Sequence, residues 1–222
     1  MKNILKNSRL FSGVSESEFD SLIKCLGASL RRYRKGESVC LAGGFVSEIG
    51  IVVGGKVHIV KGDAWGNQNI IAEIGAGEMF AEAFVCGGVG VLPVSVFAAT
   101  DAEVMFADFQ RVIAQCSNSC VFHRLLIRNI IGILARKNIM LQGKMEHITK
   151  RTTKEKLLSY LSEQSRLHGS REFDIPFDRQ GLADYLSVER SALSAEMSKL
   201  KAAGVIGYRK SRFEILTSDE LL

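Results

Sequence analysis

The hydrophobic residues of this chain follow different spacings in its two halves. In the first half they occupy every second position within short runs, as in Ile49, Ile51 and Val53, and glycines separate the runs. Fifteen of the 21 glycines lie within the first 90 residues, so tight turns are frequent there. Short strands with alternate positions buried, and turns about every eight to twelve residues, predict an antiparallel β jelly roll that ends near Phe106.

A long helix is predicted after the jelly roll. One row of its side chains alternates steps of four and three residues: Ile127, Ile131, Leu134, Asn138, Leu141, Met145 and Ile148. This row is typical of a coiled-coil seam, in which a single asparagine favours two strands in register. A second row is expected to face the barrel and comprises Leu126, Ile130, Ile133 and Met140. We expect a homodimer, and the alternative is a helix buried within one chain.

The stretch 178–205 has the pattern of two helices separated by a short break. Asp178 is a suitable N-cap for the first helix, Ser187 begins the break, and Gly204 ends the second helix. Strand-like runs on both sides of the basic residues 209–212 then predict a hairpin. Together these elements predict a winged helix-turn-helix, with an ordinary helical hairpin on a small sheet as the alternative.

A winged helix-turn-helix reads double-stranded DNA with one face of its second helix. The side chains expected to contact bases lie on that face: Glu189, Arg190, Ser191 and Ser194. The side chains expected to hold phosphates lie mostly outside it: Arg179, Gln180, Lys199, Arg209 and Lys210.

The composition is that of an ordinary globular protein, with 46% hydrophobic and 24% charged residues. No run approaches the ~18 apolar residues of a membrane span, and the N-terminus lacks an apolar signal core. We therefore expect a cytoplasmic protein with no membrane partner. The formal net charge is +5, of which +2 lies from Lys150 onward, so only local basic clusters favour an anionic partner.

The cysteines are odd in number and contain no CxxC pair: Cys25, Cys40, Cys86, Cys116 and Cys120. A disulfide framework is therefore not expected. Cys116 and Cys120 would share one helix face, which leaves open a thiol switch beside the alternative of two packed structural thiols.

The order of these elements resembles the CRP/FNR superfamily of bacterial transcription regulators. Five short segments carry the resemblance in the same order: 33–37, 51–57, 77–82, 100–104 and 182–191. The resemblance implies that an effector in the jelly roll re-sets the long helices of a homodimer, and with them the two reading helices on paired DNA half-sites. It also implies RNA polymerase as a partner, and no enzymatic activity, metal or cofactor.

The resemblance divides this α+β chain into three parts. Residues 1–118 form the effector-binding jelly roll, residues 119–148 the dimerisation helix, and residues 149–222 the winged helix-turn-helix domain. Glu189 stands where many relatives have serine before the arginine, and Ala195 replaces a second basic residue. We therefore expect a DNA half-site different from the usual one.

The effector implied by the resemblance is not expected to be a cyclic nucleotide. Members that bind cyclic AMP hold its ribose with a glutamate and its phosphate with an arginine about ten residues later, followed by serine or threonine. Glu82 matches the first, but Leu92 and Pro93 stand at the other two positions, and no Arg or Lys occurs between Glu82 and Arg111. A buried phosphate would lack its counter-charge. The residues expected around a smaller or more apolar effector are Phe80, Ala81, Glu82, Phe84, Leu92, Pro93, Val94, Leu141 and Gln142.

Other kinds of sensor were weighed against this one. The iron–sulfur members use a cluster of N-terminal cysteines, which Cys25 and Cys40 alone do not match. A metalloenzyme barrel needs clustered ligands, whereas His58 is the single histidine of the barrel half and is expected to face outward. Haem sensing through His58, His123 or a cysteine stays open, as does a ligand sensor that acts through protein contacts.

Overall fold

The computed structural model describes residues 4–5, 8–63, 68–113 and 121–217. The chain forms two compact units, Met1–Ala135 and Arg136–Leu222. The boundary between them lies within one long helix, so each unit is described by itself.

The N-terminal unit consists mainly of β-strands. Its labelled helices and strands are, in chain order, α1 (Glu16–Cys25), β1 (Ser29–Tyr33), β2 (Ser38–Cys40), β3 (Glu48–Gly54), β4 (Val57–Gly62), β5 (Gln68–Ile74), β6 (Met79–Phe80), α2 (Glu82–Cys86), β7 (Ser95–Ala98), β8 (Ala102–Asp108) and α3 (Phe109–Ile113). Within its described residues the strands form two antiparallel sheets, ordered β1-β8-β3-β6 and β2-β7-β4-β5. Val52 and Val104 of one sheet share a core cluster with Val57 and Val96 of the other, so the sheets pack face to face. The predicted jelly roll is confirmed.

Strand β3 shows how the alternating pattern builds this unit. Ile49, Ile51 and Val53 point into a cluster with the helices, whereas Val52 points between the two sheets. Both faces of the strand are therefore buried, as expected for a central strand. Gly50 also faces inward, and any Cβ there would overlap the ring of Phe80. Glycine at position 50 thus makes room for an aromatic side chain in the barrel interior.

The long helix α4 spans Val121–Ile148, close to the predicted range. Leu126, Ile130 and Ile133 are buried in the cluster that also contains α1, which confirms the row expected to face the barrel. Met140 was expected in the same row and is exposed, so that part of the prediction is wrong. A row with a strict period of 3.5 drifts around a helix of 3.6 residues per turn, and its last member leaves the buried face.

The C-terminal unit packs three helices on a small antiparallel sheet. Beyond the end of α4, its elements are α5 (Thr153–His168), β9 (Glu172–Asp174), α6 (Arg179–Leu186), α7 (Arg190–Ala202), β10 (Ile206–Arg209) and β11 (Arg212–Ile215). The sheet order is β10-β11-β9, and the hairpin β10–β11 is the predicted wing. Leu157 and Leu161 of α5, Leu182 of α6 and Leu193 of α7 share one core. This arrangement confirms the winged helix-turn-helix.

A short segment, residues 149–152, joins α4 to α5. Thr152 caps α5 by accepting a hydrogen bond from the Glu155 amide at 3.1 Å, and the Glu155 carboxylate accepts one from the Thr152 amide at 3.1 Å. The hydrogen bond from the Thr152 amide, together with one from the Arg151 amide at 3.1 Å, holds the pKa of the Glu155 carboxyl below its usual value. The chain therefore has a defined capping box where it enters the second domain.

Candidate nucleic-acid interface and effector chamber

The break between α6 and α7 sets the direction of the reading helix. Asp178 caps α6 as predicted, its carboxylate accepting from the Gly181 amide at 2.7 Å. Ser187 has φ 52°, a left-handed conformation that costs a non-glycine residue about 1 kcal/mol. Lys156 of α5 donates to the carbonyl oxygens of Leu186 and Ser187, both at 3.4 Å. Sequence reasoning missed this lysine, because nothing in its neighbourhood along the chain indicates a contact thirty residues away.

Helix α7 has one buried face and one exposed face. Leu193, Met197 and Leu200 are buried against the domain core. The four side chains predicted to contact bases are all exposed: Glu189, Arg190, Ser191 and Ser194. Glu189 occupies the N-cap position without a side-chain capping bond, as its residue type predicted. A helix with this division can place polar side chains against base edges while its other face stays packed.

The side chains predicted to hold phosphates are in different situations. Lys199, Arg209 and Lys210 are exposed. Gln180 is exposed, with its amide nitrogen donating to Asp184 at 2.8 Å. Arg179 instead lies half-buried, and its guanidinium carbon stacks 4.5 Å from the ring centroid of Tyr208 in the wing. The structure therefore also gives Arg179 a packing contact between α6 and the wing, which the sequence pattern did not predict.

The wing presents a basic tip. Lys210 sits at the turn between β10 and β11 with φ 56°, and Arg209 is exposed beside it. Arg212 is occupied differently, because its Nε donates to Glu172 at 2.7 Å. Arg209 and Lys210 thus place two exposed cations at this tip, a position from which they could meet phosphates.

Four of the nine residues expected to surround an effector lie at one cluster of the jelly roll. Phe80, Ala81 and Leu92 are buried in the cluster between the two sheets, and half-buried Phe84 packs against it. The rings of Phe80 and Phe106 meet edge to face at 6.2 Å between centroids. This part of the region expected to surround an effector is therefore a packed apolar surface.

The other residues expected to surround an effector differ in burial and in location. Glu82 is buried and follows Ala81, whose φ is 64°. Leu92 is buried and Pro93 exposed, at the two positions where an anionic ligand would need its partners. Val94 is buried in the same unit. Leu141 and Gln142 belong to the other unit, and both are exposed on α4.

The histidines and cysteines differ sharply in their surroundings. His58 points outward as predicted, with its Nε2 3.1 Å from an oxygen of Glu73. His123 is buried, and its Nε2 lies 3.6 Å from the Cys25 sulfur. Cys116 and Cys120 lie outside the described residues. Across the described ranges, no group of three or more His, Cys, Asp or Glu side chains is placed to hold a metal ion.

His147, near the end of α4, was missed by the sequence analysis. Its side chain is 2% exposed, its Nδ1 lies 2.9 Å from the Ser159 hydroxyl, and its Nε2 lies 2.8 Å from the Glu163 carboxylate. Its ring also meets Tyr160 edge to face. These contacts fasten the last turn of α4 to α5. A lone histidine in a polar stretch gives no sequence signal for such an anchor.

The seam predicted for dimerisation is largely uncovered in the single chain. Ile131, Leu141 and Met145 are 61%, 62% and 59% exposed, and Asn138 is exposed with them. Ile127, Leu134 and Ile148 are half-buried. No helix in the described part of the chain is both long and apolar enough to cross a membrane.

Comparison with known proteins gives two family matches. A model described as a cyclic nucleotide-binding domain matches residues 30–119, and one described as a Crp-like helix-turn-helix domain matches residues 155–222. No curated protein matches the chain.

Several solved structures share the fold over nearly the whole length. The catabolite activator protein of Thermus thermophilus is 21% identical, with 94% of this chain and 93% of that chain covered at a TM-score of 0.50. DNR from Pseudomonas aeruginosa is 18% identical, with coverages of 99% and 95% and a TM-score of 0.51. The c-di-GMP-responsive regulator CLP of Xanthomonas campestris is 17% identical, with coverages of 92% and 100% and a TM-score of 0.57.

Proposed function

Because the chain belongs to the CRP/FNR family of transcription regulators, we propose that it is a homodimeric, sequence-specific DNA-binding protein. An effector in its jelly roll controls it, and this effector is not a cyclic nucleotide. It acts in the cytoplasm on paired half-sites of double-stranded DNA, with RNA polymerase as a further partner. It is a regulator and not an enzyme.

The observation that carries this proposal is the division of α7 into two faces. Arg190, Ser191 and Ser194 reach solvent from a helix whose other side is fixed in the domain core. Arginine can bond two acceptors of a guanine at once, and serine can bond several base edges. The Glu189 carboxylate accepts a hydrogen bond from the N4 amino group of a cytosine. Lys199, Arg209 and Lys210 are placed around them as phosphate contacts, with Arg179 and Gln180 at the start of α6.

The uncovered seam of α4 supports the homodimer. Large apolar side chains on one helix are expected to be covered, and a second copy of the same helix offers the matching row. A two-fold dimer also presents two α7 helices, which suits DNA sites made of two half-sites.

The jelly roll supports an apolar or smaller effector. From Glu82 to Gln110 the chain has no cation, and the two positions of the phosphate anchor hold Leu92 and Pro93. An anion bound there would lose its hydration without gaining an ion pair. Phe80, Phe84 and Leu92 instead offer apolar contact, with Glu82 as the one charged side chain of the set.

Selection of duplexes from a random pool, followed by titration of the selected duplex against a scrambled one, tests the DNA-reading part. Replacing Arg190 by Ala should reduce the preference for the selected duplex by about 1–3 kcal/mol, which is roughly 5–150-fold. Replacing Lys210 by Ala should weaken binding to both duplexes alike. It should also reduce the slope of log K against log salt concentration by about one. Equal effects of the two substitutions on sequence preference would refute the assignment. Salt-independent binding, or none, would favour a sensor that acts on protein.

A further inference from the structure

The N-terminal unit holds a buried histidine that the proposed function does not use. His123 is 6% exposed, and within the described chain its Nδ1 is a buried ring nitrogen with no hydrogen-bond partner. Its Nε2 lies 3.6 Å from the sulfur of Cys25, at the end of α1. A buried polar atom without a partner is unusual and calls for an explanation, such as a chemical role for its group.

His147 shows what a structural buried histidine is like in the same chain. Both of its ring nitrogens are held, one by a hydroxyl and one by a carboxylate. At His123 no carboxylate competes for Nε2 among the described residues, and the Cys25 sulfur is its neighbour. An imidazole in hydrogen-bond contact with a thiol is the arrangement that activates cysteine nucleophiles.

We propose that Cys25 and His123 form a reactive-thiol site, at which the Cys25 sulfur is oxidised by peroxides and alkylated by small electrophiles. Cys25 is half-buried, so a small reagent can reach the sulfur while the imidazole stays covered. The guanidinium of Arg111 lies directly over Gly27, two residues further along the chain than Cys25. Partial exposure in positive surroundings is typical of reactive cysteines.

The reaction with hydrogen peroxide balances without any further component. The thiol proton passes to Nε2 of His123, and the thiolate attacks one peroxide oxygen. The S–O bond forms while the O–O bond breaks, so sulfur loses two electrons and the peroxide gains them. The departing hydroxide takes a proton, which leaves a sulfenic acid and one water molecule. The site needs neither DNA nor the effector of the jelly roll.

Two other thiols of the same unit serve as internal controls. Burial raises the pKa of Cys40, and burial together with the nearby Glu82 carboxylate raises the pKa of Cys86. Among the described residues, no histidine lies in hydrogen-bond contact with either sulfur. Their thiolate fraction at neutral pH is lower than that of an ordinary cysteine, so both should react slowly.

Site-resolved mass spectrometry of the full-length protein tests the proposal. The protein is treated with iodoacetamide between pH 5 and 9, and in parallel with hydrogen peroxide followed by dimedone. At pH 7 we expect Cys25 to react at least about tenfold faster than Cys40 and Cys86, the effect of roughly one pKa unit. His123→Gln should remove this difference, and His58→Gln, at a histidine whose recorded contact is with Glu73 and not with a thiol, should leave it unchanged.

Either of two results would overturn the proposal. One is a Cys25 rate no greater than those of the two control thiols. The other is a Cys25 rate that rises only around the ordinary thiol pKa of about 8.5 in the unsubstituted protein. The second result is decisive even if His123→Gln fails to fold. Neither reading depends on DNA binding, so failure here is distinguishable from failure of the proposed function.

Discussion

The two units of this protein carry polar groups in opposite ways. In the C-terminal unit the polar side chains of α7, such as Arg190 and Ser194, project from a packed helix into solvent. In the N-terminal unit the residues expected around an effector lie inward: Phe80 and Leu92 pack between the sheets, and Glu82 is also buried. The exposed face of α7 indicates which groups it could bind. The buried residues of the jelly roll indicate mainly which ligands would not fit, such as an anion without a counter-charge. Both domains of the family are thus present, and Leu92 and Pro93 stand at the two positions where a cyclic-nucleotide phosphate would need its partners.

The largest expected effect concerns the proposed homodimer, which would bring together two copies of the C-terminal unit. Leu141→Asp places a charge in the proposed seam twice per dimer. Losing two buried leucines should weaken the dimer by about 3–6 kcal/mol, with DNA affinity falling in parallel. Sedimentation at micromolar concentration measures this. Ile139→Asp is the matched control, because Ile139 is 66% exposed on the same helix but outside the seam. If both substitutions act alike, the seam is misassigned.

Truncation of a core side chain in the C-terminal unit should destabilise that unit and leave the stability of the N-terminal unit unchanged. Leu193 of α7 is fully buried in the C-terminal core. Leu193→Ala should lower the free energy of unfolding of that unit by about 2–5 kcal/mol through loss of burial and creation of a cavity. Hydrogen exchange resolved by peptide should show increased opening of α5–α7, with the protection of β3 and β8 unchanged. Loss of protection throughout the chain would mean that the two units unfold as one.

Enlarging a side chain in the barrel tests whether its interior is filled. Gly50→Ala puts a Cβ onto the Phe80 ring and should destabilise the jelly roll by about 1–3 kcal/mol. Combining Gly50→Ala with Phe80→Leu should recover part of that loss, since the smaller side chain leaves room for the methyl group. Denaturant titration of both single variants and the double variant gives the coupling. Additive effects would place the ring elsewhere.

The smallest expected effect is a gain of stability in the reading head. Ser187 holds a left-handed conformation that glycine adopts without strain. Ser187→Gly should therefore stabilise the C-terminal unit by up to about 1 kcal/mol and leave sequence preference unchanged. Thermal unfolding and duplex titration check the two parts. A decrease in stability would show that the turn is held by the serine itself.

The sequence predicts the secondary-structure elements better than it predicts which side chains pack together. Alternation around Ile51 and the heptad row through Leu134 indicated the strands and the helix because burial follows the period of the element. Asp178 and Gly204 marked helix ends by their local chemistry. Local chemistry does not reveal contacts made between distant segments.

The contacts that escaped prediction are of this distant kind. Arg179 meets Tyr208, Lys156 meets the end of α6, and His147 meets Glu163. Likewise, Phe80 could be assigned to the effector region by its type and position. That its ring occupies the space above Gly50 follows only from the folded structure.

The central claim, a shared DNA output with a different input, is tested most directly by thermal unfolding of the full chain with cyclic AMP or cyclic GMP. A ligand that binds only the native state stabilises it by about 2.7 kcal/mol at one hundred times its dissociation constant. For a protein of this size that corresponds to roughly 5–10 °C. We predict no shift with either nucleotide at millimolar concentration. A rise of several degrees would contradict the account. A bound cyclic nucleotide needs a partner for its phosphate, and Leu92 and Pro93 cannot supply one.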